Sequence, residues 1–238
     1  MSDTKNDYPE HGGWELFKQG KFNDAIDAYT RGLVLRTNAS TYNNRSLAFL
    51  ELGEFDRAIV DLEASDKLSI ETNSRSHHAL DWIAVIKWMS GRKREAAEDW
   101  RAISKMPRRD FKYGDAAGDI EIGLHLWFAS CFPEFGDYAK DAELYLRRQS
   151  KLTAARSFPG PLAGFVLGET SEDTIKKIAG YPVPAKGFCM SYFYFGMMES
   201  RRGKTELFQH RMQQSIDFGA IRMLEPEFYL AKFLLTKR

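Results

Sequence analysis

The sequence has few cysteines and no long apolar run, and these two absences narrow its class. Its 238 residues include 2 cysteines, too few for the disulfide framework of a small secreted module. Cys131 and Cys189 also lack the close spacing of a zinc site, so we expect free, buried thiols. No segment approaches the roughly 18 consecutive apolar residues of a membrane-spanning helix. The sequence therefore predicts a folded, soluble protein without a membrane span.

An excess of charge of one sign is missing as well. The chain has 34 Lys and Arg against 33 Asp and Glu, a formal net charge of +1. Such a balance creates no overall field that would attract nucleic acid or an anionic membrane. The pairs Arg108-Arg109 and Arg147-Arg148 gather positive charge, but acidic residues lie among them, which favours solvated surfaces. We predict no nucleic-acid partner.

The N-terminal residues lack the features of a signal peptide. Residues 1–12 contain no basic segment followed by an apolar one, and their polar composition predicts a short disordered lead-in. If this start is native, we expect a cytoplasmic protein. If a signal segment was removed, a periplasmic or envelope-associated location is the alternative.

The chain does contain an internal repeat. "GKFNDAIDAY" begins at Gly20 and "GEFDRAIVDL" at Gly53, 33 residues later. Repeats of this period indicate units that each bury a face against the next. In each copy a glycine can end one helix in a left-handed conformation, an aromatic residue follows, and an alanine allows a second helix to approach closely. The repeat therefore predicts stacked helical hairpins.

This pattern, G-x-[YF]-x-x-A with an aromatic residue four positions on, resembles the tetratricopeptide repeat, a helix-turn-helix unit of about 34 residues. A third copy has Gly91, Ala96 and Trp100 at the corresponding positions. A degenerate copy near the C terminus keeps Gly203 but has Phe208 in place of the alanine. The resemblance implies an all-α protein, a right-handed α-solenoid of tetratricopeptide type.

The remaining segments are predicted to be helical without keeping the repeat register. Apolar residues recur at three and four positions within the middle of the chain, and strand-like alternation is nowhere sustained. We predict three N-terminal repeats over residues 13–106 and an irregular helical middle over 107–184. A C-terminal repeat with a capping helix follows over 185–238, and all three parts form one continuous domain.

The C-terminal half carries a second resemblance. The order "FPGPLAGFVLGETSEDTIKK", "SYFYFGMMESRRGK" and "LEPEFYLAKFLL" is similar to the NlpI-like bacterial lipoproteins, which also contain tetratricopeptide repeats. That likeness implies an adaptor that brings an enzyme and its substrate together, and it allows a homodimer. The signal and lipid-bearing cysteine of those lipoproteins are lacking here, so their envelope location is not carried over.

Candidate catalytic and metal-binding residues fit structural roles better. His77 and His78 are adjacent, so on a helix they would point about 100° apart and could not share one metal. His125 and Cys131 are six residues apart, which does not place them on one helical face. Phosphate-loop and nucleophile-elbow patterns are missing. We predict no catalytic residue, no metal site and no cofactor.

The resemblance to tetratricopeptide repeats points to a concave groove lined by the first helix of each hairpin, which could hold a peptide or a partner helix. The predicted groove residues are Trp14, Lys18, Asn43, Asn44, Leu47, Glu51, His78, Trp82 and Val85. Solvent exposure or packing between repeats is the alternative for each. Asn44 lies where chaperone-binding members of the family have a carboxylate-clamp asparagine. Because His78 and Trp82 replace the clamp's basic residues, an acidic chaperone tail is not the expected ligand.

Three functions remain open from the sequence. The first is a non-catalytic adaptor that binds another protein or peptide in the groove. The second is an immunity or inhibitor protein that blocks a toxin or enzyme through the same kind of surface. The third, and least favoured, is a hydrolase with its site around His125.

Overall fold

The computed structural model describes residues 9–112, 119–180, 183–219 and 225–236. Within these ranges the chain forms thirteen α-helices and no β-strand, which confirms the predicted all-α class. The helices form two compact units. The first unit includes the described residues up to Gly91 together with residues 108–112, and the second includes residues 92–107 and the described residues from 119 onward.

The first unit contains five helices and a short 3-10 turn. The helices are α1 (Pro9–Lys18), α2 (Phe22–Leu35), α3 (Ala39–Glu51), α4 (Phe55–Glu71) and α5 (His78–Met89), and the 3-10 turn is Arg108–Asp110. Consecutive helices pack against each other from α1 to α5, and α1 also contacts α3. Residues 1–8 of the predicted lead-in lie outside the described residues, while α1 begins at Pro9, a residue suited to the first helical turn.

Glycine turns close the first two hairpins. Gly20 and Gly53 both have φ of 74°, the left-handed conformation that residues with a side chain rarely adopt. After Gly53, the amide of Glu54 donates a hydrogen bond to the carbonyl of Phe49 at 2.9 Å, and the equivalent bond closes the turn at Gly20. This is the helix-ending motif predicted from the two copies of the repeat.

Small residues allow the helices of a hairpin to approach closely. Ala25 and Ala58, the alanines of the repeat pattern, have no exposed surface. Gly13 on α1 faces Tyr29 on α2 so closely that an added Cβ atom would lie 2.6 Å from the tyrosine ring. Each hairpin is therefore held by small-against-large contacts.

The second unit contains eight helices among its described residues. They are α6 (Lys93–Lys105), α7 (Ile120–Ser130), α8 (Ala139–Gln149), α9 (Pro161–Val166), α10 (Glu172–Ala179), α11 (Pro184–Arg201), α12 (Thr205–Gly219) and α13 (Pro226–Thr236). Helices α6 to α8 pack in sequence, as do α9 to α13. Gly203, with φ of 71°, closes the α11–α12 hairpin in the same way as the glycines of the first unit. The core of the second unit is formed by large side chains with at most 1% exposure, including Trp100, Phe128, Phe193 and Phe195.

Two helices from the middle of the chain, α7 and α8, repeat a contact seen in the first hairpin. Helices α7 and α8 pack as a pair, and Gly123 lies against the ring of Tyr145 as Gly13 lies against Tyr29. The hydroxyl of Tyr145 also donates a hydrogen bond to the carbonyl of Asp119 at 3.0 Å. Residues 113–118 and 181–182 of the predicted irregular middle lie outside the described residues. Among the described residues, none of the helices has the length and apolar composition that a membrane span requires.

Candidate partner-binding surface

The nine predicted groove residues all belong to the first unit. Trp14 and Lys18 lie on α1, four residues from Asn43 to Glu51 lie on α3, and three from His78 to Val85 lie on α5. The structure thus distributes them over alternate helices, as the repeat pattern predicts. Contact between α1 and α3 places the first two sets on neighbouring helices.

Burial divides these nine residues into two groups. Leu47 is 8% exposed, Trp82 3% and Val85 0%, so their side chains pack within the protein. Their burial favours the packing alternative, because a buried side chain cannot anchor a partner without rearrangement. The other six are exposed or half-buried, and we call them the α1/α3/α5 surface: Trp14, Lys18, Asn43, Asn44, Glu51 and His78.

Trp14 is the largest side chain of this surface, and its neighbours hold it in place. Its ring stacks on Phe17, with centroids 5.3 Å apart and planes 11° from parallel. Phe17 is buried and meets the edge of Phe22 at 5.4 Å. A turn later, the ammonium of Lys18 lies 2.6 Å from the carboxylate of Glu15. Trp14 therefore offers a half-buried aromatic face with little freedom to lose on binding.

Asn43 adds an unsatisfied acceptor to the surface. Its side-chain Oδ1 atom is buried and has no hydrogen-bond partner among the described residues. The hydroxyl of Tyr29 on α2 is likewise buried and has no hydrogen-bond partner among the described residues. An unmade hydrogen bond at a buried polar atom costs about 1–3 kcal/mol, so a donor that reached Asn43 would recover part of that cost.

A bidentate ion pair orients α3, and the repeat pattern did not predict it. Arg45 donates from Nε and a terminal nitrogen to Asp61 on α4 at 2.8 and 2.7 Å, and from the other terminal nitrogen to Thr30 on α2 at 2.9 Å. The hydrogen bond to Asp61 raises the pKa of Arg45 above its ordinary value. These contacts fix the helix between Asn43 and Leu47. Opposite charges 16 residues apart give no signal in the sequence.

A cavity of about 480 Å³ lies elsewhere in the first unit. Its lining residues come from the end of α4, the following turn and the segment after residue 107, and they are Ile70, Asn73, Arg75, Arg109, Asp110 and Lys112. From the sequence, Arg109 was predicted to belong to a solvated surface, and its side chain is indeed 87% exposed. It lines the cavity together with Arg75, which is more than thirty residues earlier in the chain.

His125, the centre of the hydrolase hypothesis, is enclosed within the second unit. It has no exposed surface, and its Nε2 atom lies 3.4 Å from a carboxylate oxygen of Glu227, which is also fully buried. The hydroxyl of Tyr194 donates to the same oxygen at 3.1 Å. A substrate has no access to the imidazole in this arrangement. Among the described residues, no group of three or more His, Cys, Asp or Glu could hold a metal ion.

Both cysteines are free, as predicted. Cys189 is buried and Cys131 is half-buried. Burial raises the pKa of the Cys131 thiol to about 12, an effect that nearby Arg201 only partly opposes. Burial likewise raises the pKa of Cys189 far above the ordinary range of a thiol. Neither thiol has the lowered pKa of a nucleophilic cysteine.

The helical hairpins, their left-handed glycine turns and their small-against-large contacts fit a protein of the tetratricopeptide-repeat type. No protein-family model matches the chain. The chain is 26% identical over 105 residues to the DnaJ homolog subfamily C member 7 homolog of Schizosaccharomyces pombe, which contains such repeats. This similarity covers 41% of the chain and 22% of the fission-yeast protein.

Proposed function

We propose that the chain is a non-catalytic scaffold that binds a partner protein or peptide through the α1/α3/α5 surface. The observation that supports this most directly is the half-buried ring of Trp14, which stacking on Phe17 holds in place on a helix that contacts α3. The similarity to a protein with tetratricopeptide repeats is in keeping with a role in protein interaction.

The chemistry of the surface indicates how a peptide would bind. An extended peptide carries one backbone N–H donor per residue other than proline. Because the Oδ1 atom of Asn43 is covered in the free chain, the half-buried Asn43 side chain would have to turn outward to accept a hydrogen bond from such a donor. The ring of Trp14 would cover an apolar side chain of the peptide, since aromatic residues contribute much of the binding energy at interfaces. Lys18, Glu51 and His78 are further polar members of the α1/α3/α5 surface. We therefore expect a mixed apolar and polar peptide.

The proposal is tested by capturing partners on the purified chain and then measuring each isolated partner by calorimetry. Trp14→Ala and Asn43→Ala should each raise the dissociation constant about thirtyfold or more, because hot-spot residues cost at least 2 kcal/mol when truncated. Leu35→Ala is the matched control, since Leu35 is an exposed apolar residue on α2 outside the surface. Circular dichroism spectra of the variants establish that they remain folded.

If the captured partner binds the Trp14→Ala and Asn43→Ala variants as tightly as the unchanged chain, the surface is not the binding site. The identity of the partner separates the two uses considered for such a surface. Several client proteins would support an adaptor that joins an enzyme to its substrate, as in the NlpI-like lipoproteins. One tight enzyme partner whose activity the chain abolishes would support an inhibitor. Sedimentation equilibrium of the purified chain tests whether it forms the homodimer that the same resemblance allows.

A further inference from the structure

The carboxylate of Glu227 lies in the core of the second unit with few hydrogen bonds. Glu227 belongs to the first turn of α13 and has no exposed surface. Its Oε1 atom accepts a hydrogen bond from the hydroxyl of Tyr194 at 3.1 Å. Its Oε2 atom is buried and has no hydrogen-bond partner among the described residues. A buried carboxylate in this state is costly unless a positive charge lies beside it.

Among the described residues, four titratable groups interact with this carboxylate. Helix α11 contributes the hydroxyl of Tyr194, the thiol of Cys189 and the ammonium of Lys186. Helix α7 contributes the imidazole of His125, whose Nε2 atom lies 3.4 Å from Oε1 of Glu227. Helix α12 also packs against α13, but its described residues add no charged group here. The hydroxyl and the thiol cannot carry a positive charge, which leaves the ammonium and the imidazole.

The ammonium of Lys186 is shared with two other carboxylates. It lies 3.1 Å from Glu121 and 3.1 Å from Glu225, so both are closer partners than Glu227. The electrostatic contact with Glu227 is the weakest of the three. His125 is therefore the group that can place a positive charge directly beside Oε1.

The surroundings of both side chains suit a charged pair. The indole of Trp100 on α6 lies against the His125 ring, with centroids 5.6 Å apart, and an indole attracts a neighbouring cation. The positive end of the α13 dipole favours an ionised carboxylate in its first turn. A protonated Glu227 would need an acceptor for its proton, yet Oε2 has no partner and Tyr194 is a donor. The neutral acid thus fits this site less well than the carboxylate.

We propose that His125 carries a second ring proton and forms an ion pair with Glu227, which makes the position of α13 dependent on pH. Folding that stabilises a charged histidine contributes fully below about pH 6.5, the ordinary histidine pKa, and the contribution is lost as pH rises through a higher value. Loss of the proton leaves the carboxylate without its nearest positive charge, so the first turn of α13 loosens. That movement exposes Phe228, Tyr229 and Phe233, which are buried. The inference does not depend on the α1/α3/α5 surface.

The test is NMR spectroscopy of the ¹⁵N-labelled full chain at a series of pH values from about 5.5 to 10. Long-range ¹H–¹⁵N correlations within the imidazole ring distinguish a doubly protonated histidine from a neutral one, and His125→Gln assigns the His125 signals. We expect the His125 ring to remain doubly protonated at about pH 8, more than one unit above the ordinary histidine pKa. The amide signals of α13 should change over the pH range in which His125 loses its proton.

Variants separate the ion pair from a purely structural contact. Glu227→Gln keeps the shape of the side chain and removes its charge, so His125 should lose its proton at least about one pH unit lower, a tenfold change in proton affinity. Glu206→Gln is the control, because it removes an exposed carboxylate from α12 and should move the His125 midpoint by less than about 0.3 unit. In His125→Gln the α13 amide signals should no longer follow pH in that range.

A neutral His125 ring at about pH 7 in the unchanged chain would overturn the proposal, because Glu227 would then be either protonated or unpaired. The same His125 midpoint in Glu227→Gln and in the unchanged chain would overturn the pairing of the two side chains. Constant α13 signals while His125 loses its proton would overturn the link to the position of α13. If Glu227→Gln does not fold, the charge of the His125 ring in the unchanged chain still decides the proposal.

Discussion

At the scale of single residues, burial decides which of the predicted groove residues can meet a partner. The repeat register predicted correctly that the nine residues lie on α1, α3 and α5. The register could not predict that Trp82 and Val85 are buried. It indicates which helix carries a side chain, but it does not indicate which neighbouring side chains pack around that side chain. Trp14 lies at the register position of Leu47 and Val85, yet it remains half-buried at the surface.

Burial also controls the chemistry of the thiols, which gives a prediction. Because the pKa of Cys131 is raised to about 12, only on the order of one thiol in ten thousand is ionised at pH 8. The thiolate is the reactive form, so we expect both cysteines of the folded chain to react with Ellman's reagent far more slowly than a free thiol at pH 8.

When the chain is unfolded in guanidinium, both cysteines should react with Ellman's reagent at the rate of an ordinary cysteine, which gives two equivalents of product per chain. Cys131→Ser is the control for assignment, since it leaves Cys189 alone and should halve the released amount. Rapid release of one equivalent from the native chain, lost in Cys131→Ser, would show that Cys131 is ionised or accessible and that burial does not protect it.

At the scale of helices, the approach of α1 to α2 depends on a missing side chain. Gly13 lies against Tyr29, and an added Cβ atom would be 2.6 Å from its ring, closer than such contacts allow. We expect Gly13→Ala to lower the free energy of unfolding by about 1–3 kcal/mol, the usual cost of overpacking. The measurement is equilibrium unfolding in urea followed by circular dichroism.

The neighbouring glycine is a matched control on the same helix. A Cβ atom added at Gly12 would meet no atom within 4 Å. Gly12→Ala should therefore leave stability unchanged or raise it by up to about 1 kcal/mol, because alanine favours the helix over glycine. Equal effects of the two substitutions would show that the contact with Tyr29 does not limit the approach of α1 to α2.

The spacing of the glycine and tyrosine in such a contact explains why the pairing of α7 with α8 could not be predicted from the sequence. Gly13 and Tyr29 are 16 residues apart, whereas Gly123 and Tyr145 are 22 apart. The 3-10 segment Pro133–Tyr138 between α7 and α8 supplies the additional length. Apolar periodicity was enough to predict each helix, but the fixed spacing that identifies a repeat was lost through this insertion. Each of the two helices, α7 and α8, was therefore predictable from the sequence, but the packing of one against the other was not.

At the scale of the whole molecule, the all-α class followed from periodicity, while the charge pairs between distant parts of the chain did not. Arg45 and Asp61 of the first unit are 16 residues apart, and Lys186 and Glu121 of the second are 65 apart. A balanced composition offers many possible pairs of opposite charge. Only the packing of the helices selects which of them meet, so the sequence gives no preference.

Lys186 forms ion pairs that link three separate parts of the second unit. Replacing it therefore tests most directly whether such packing-selected charge pairs stabilise the fold. Its ammonium on α11 lies 3.1 Å from Glu121 on α7 and 3.1 Å from Glu225, just before α13. Burial opposes the charge, but these carboxylates outweigh it and raise the pKa of Lys186 above its ordinary value. We expect Lys186→Met to lower the free energy of unfolding by about 2 kcal/mol, less than for a fully buried pair because Lys186 is partly exposed.

The pH dependence of this loss follows from the direction of the shift. A lysine whose pKa is raised on folding contributes its full stabilisation below the unfolded pKa of about 10.4 and loses it only as pH rises through the higher folded pKa. The difference between Lys186→Met and the unchanged chain should therefore stay constant from about pH 7 to 9.5 in guanidinium unfolding. Lys204→Met, which removes an exposed partner of Glu199, should cost less than about 1 kcal/mol. If Lys186→Met costs no more than Lys204→Met, the carboxylates of Glu121 and Glu225 do not gain stability from sharing one ammonium, and other contacts hold α7 and α13 to α11.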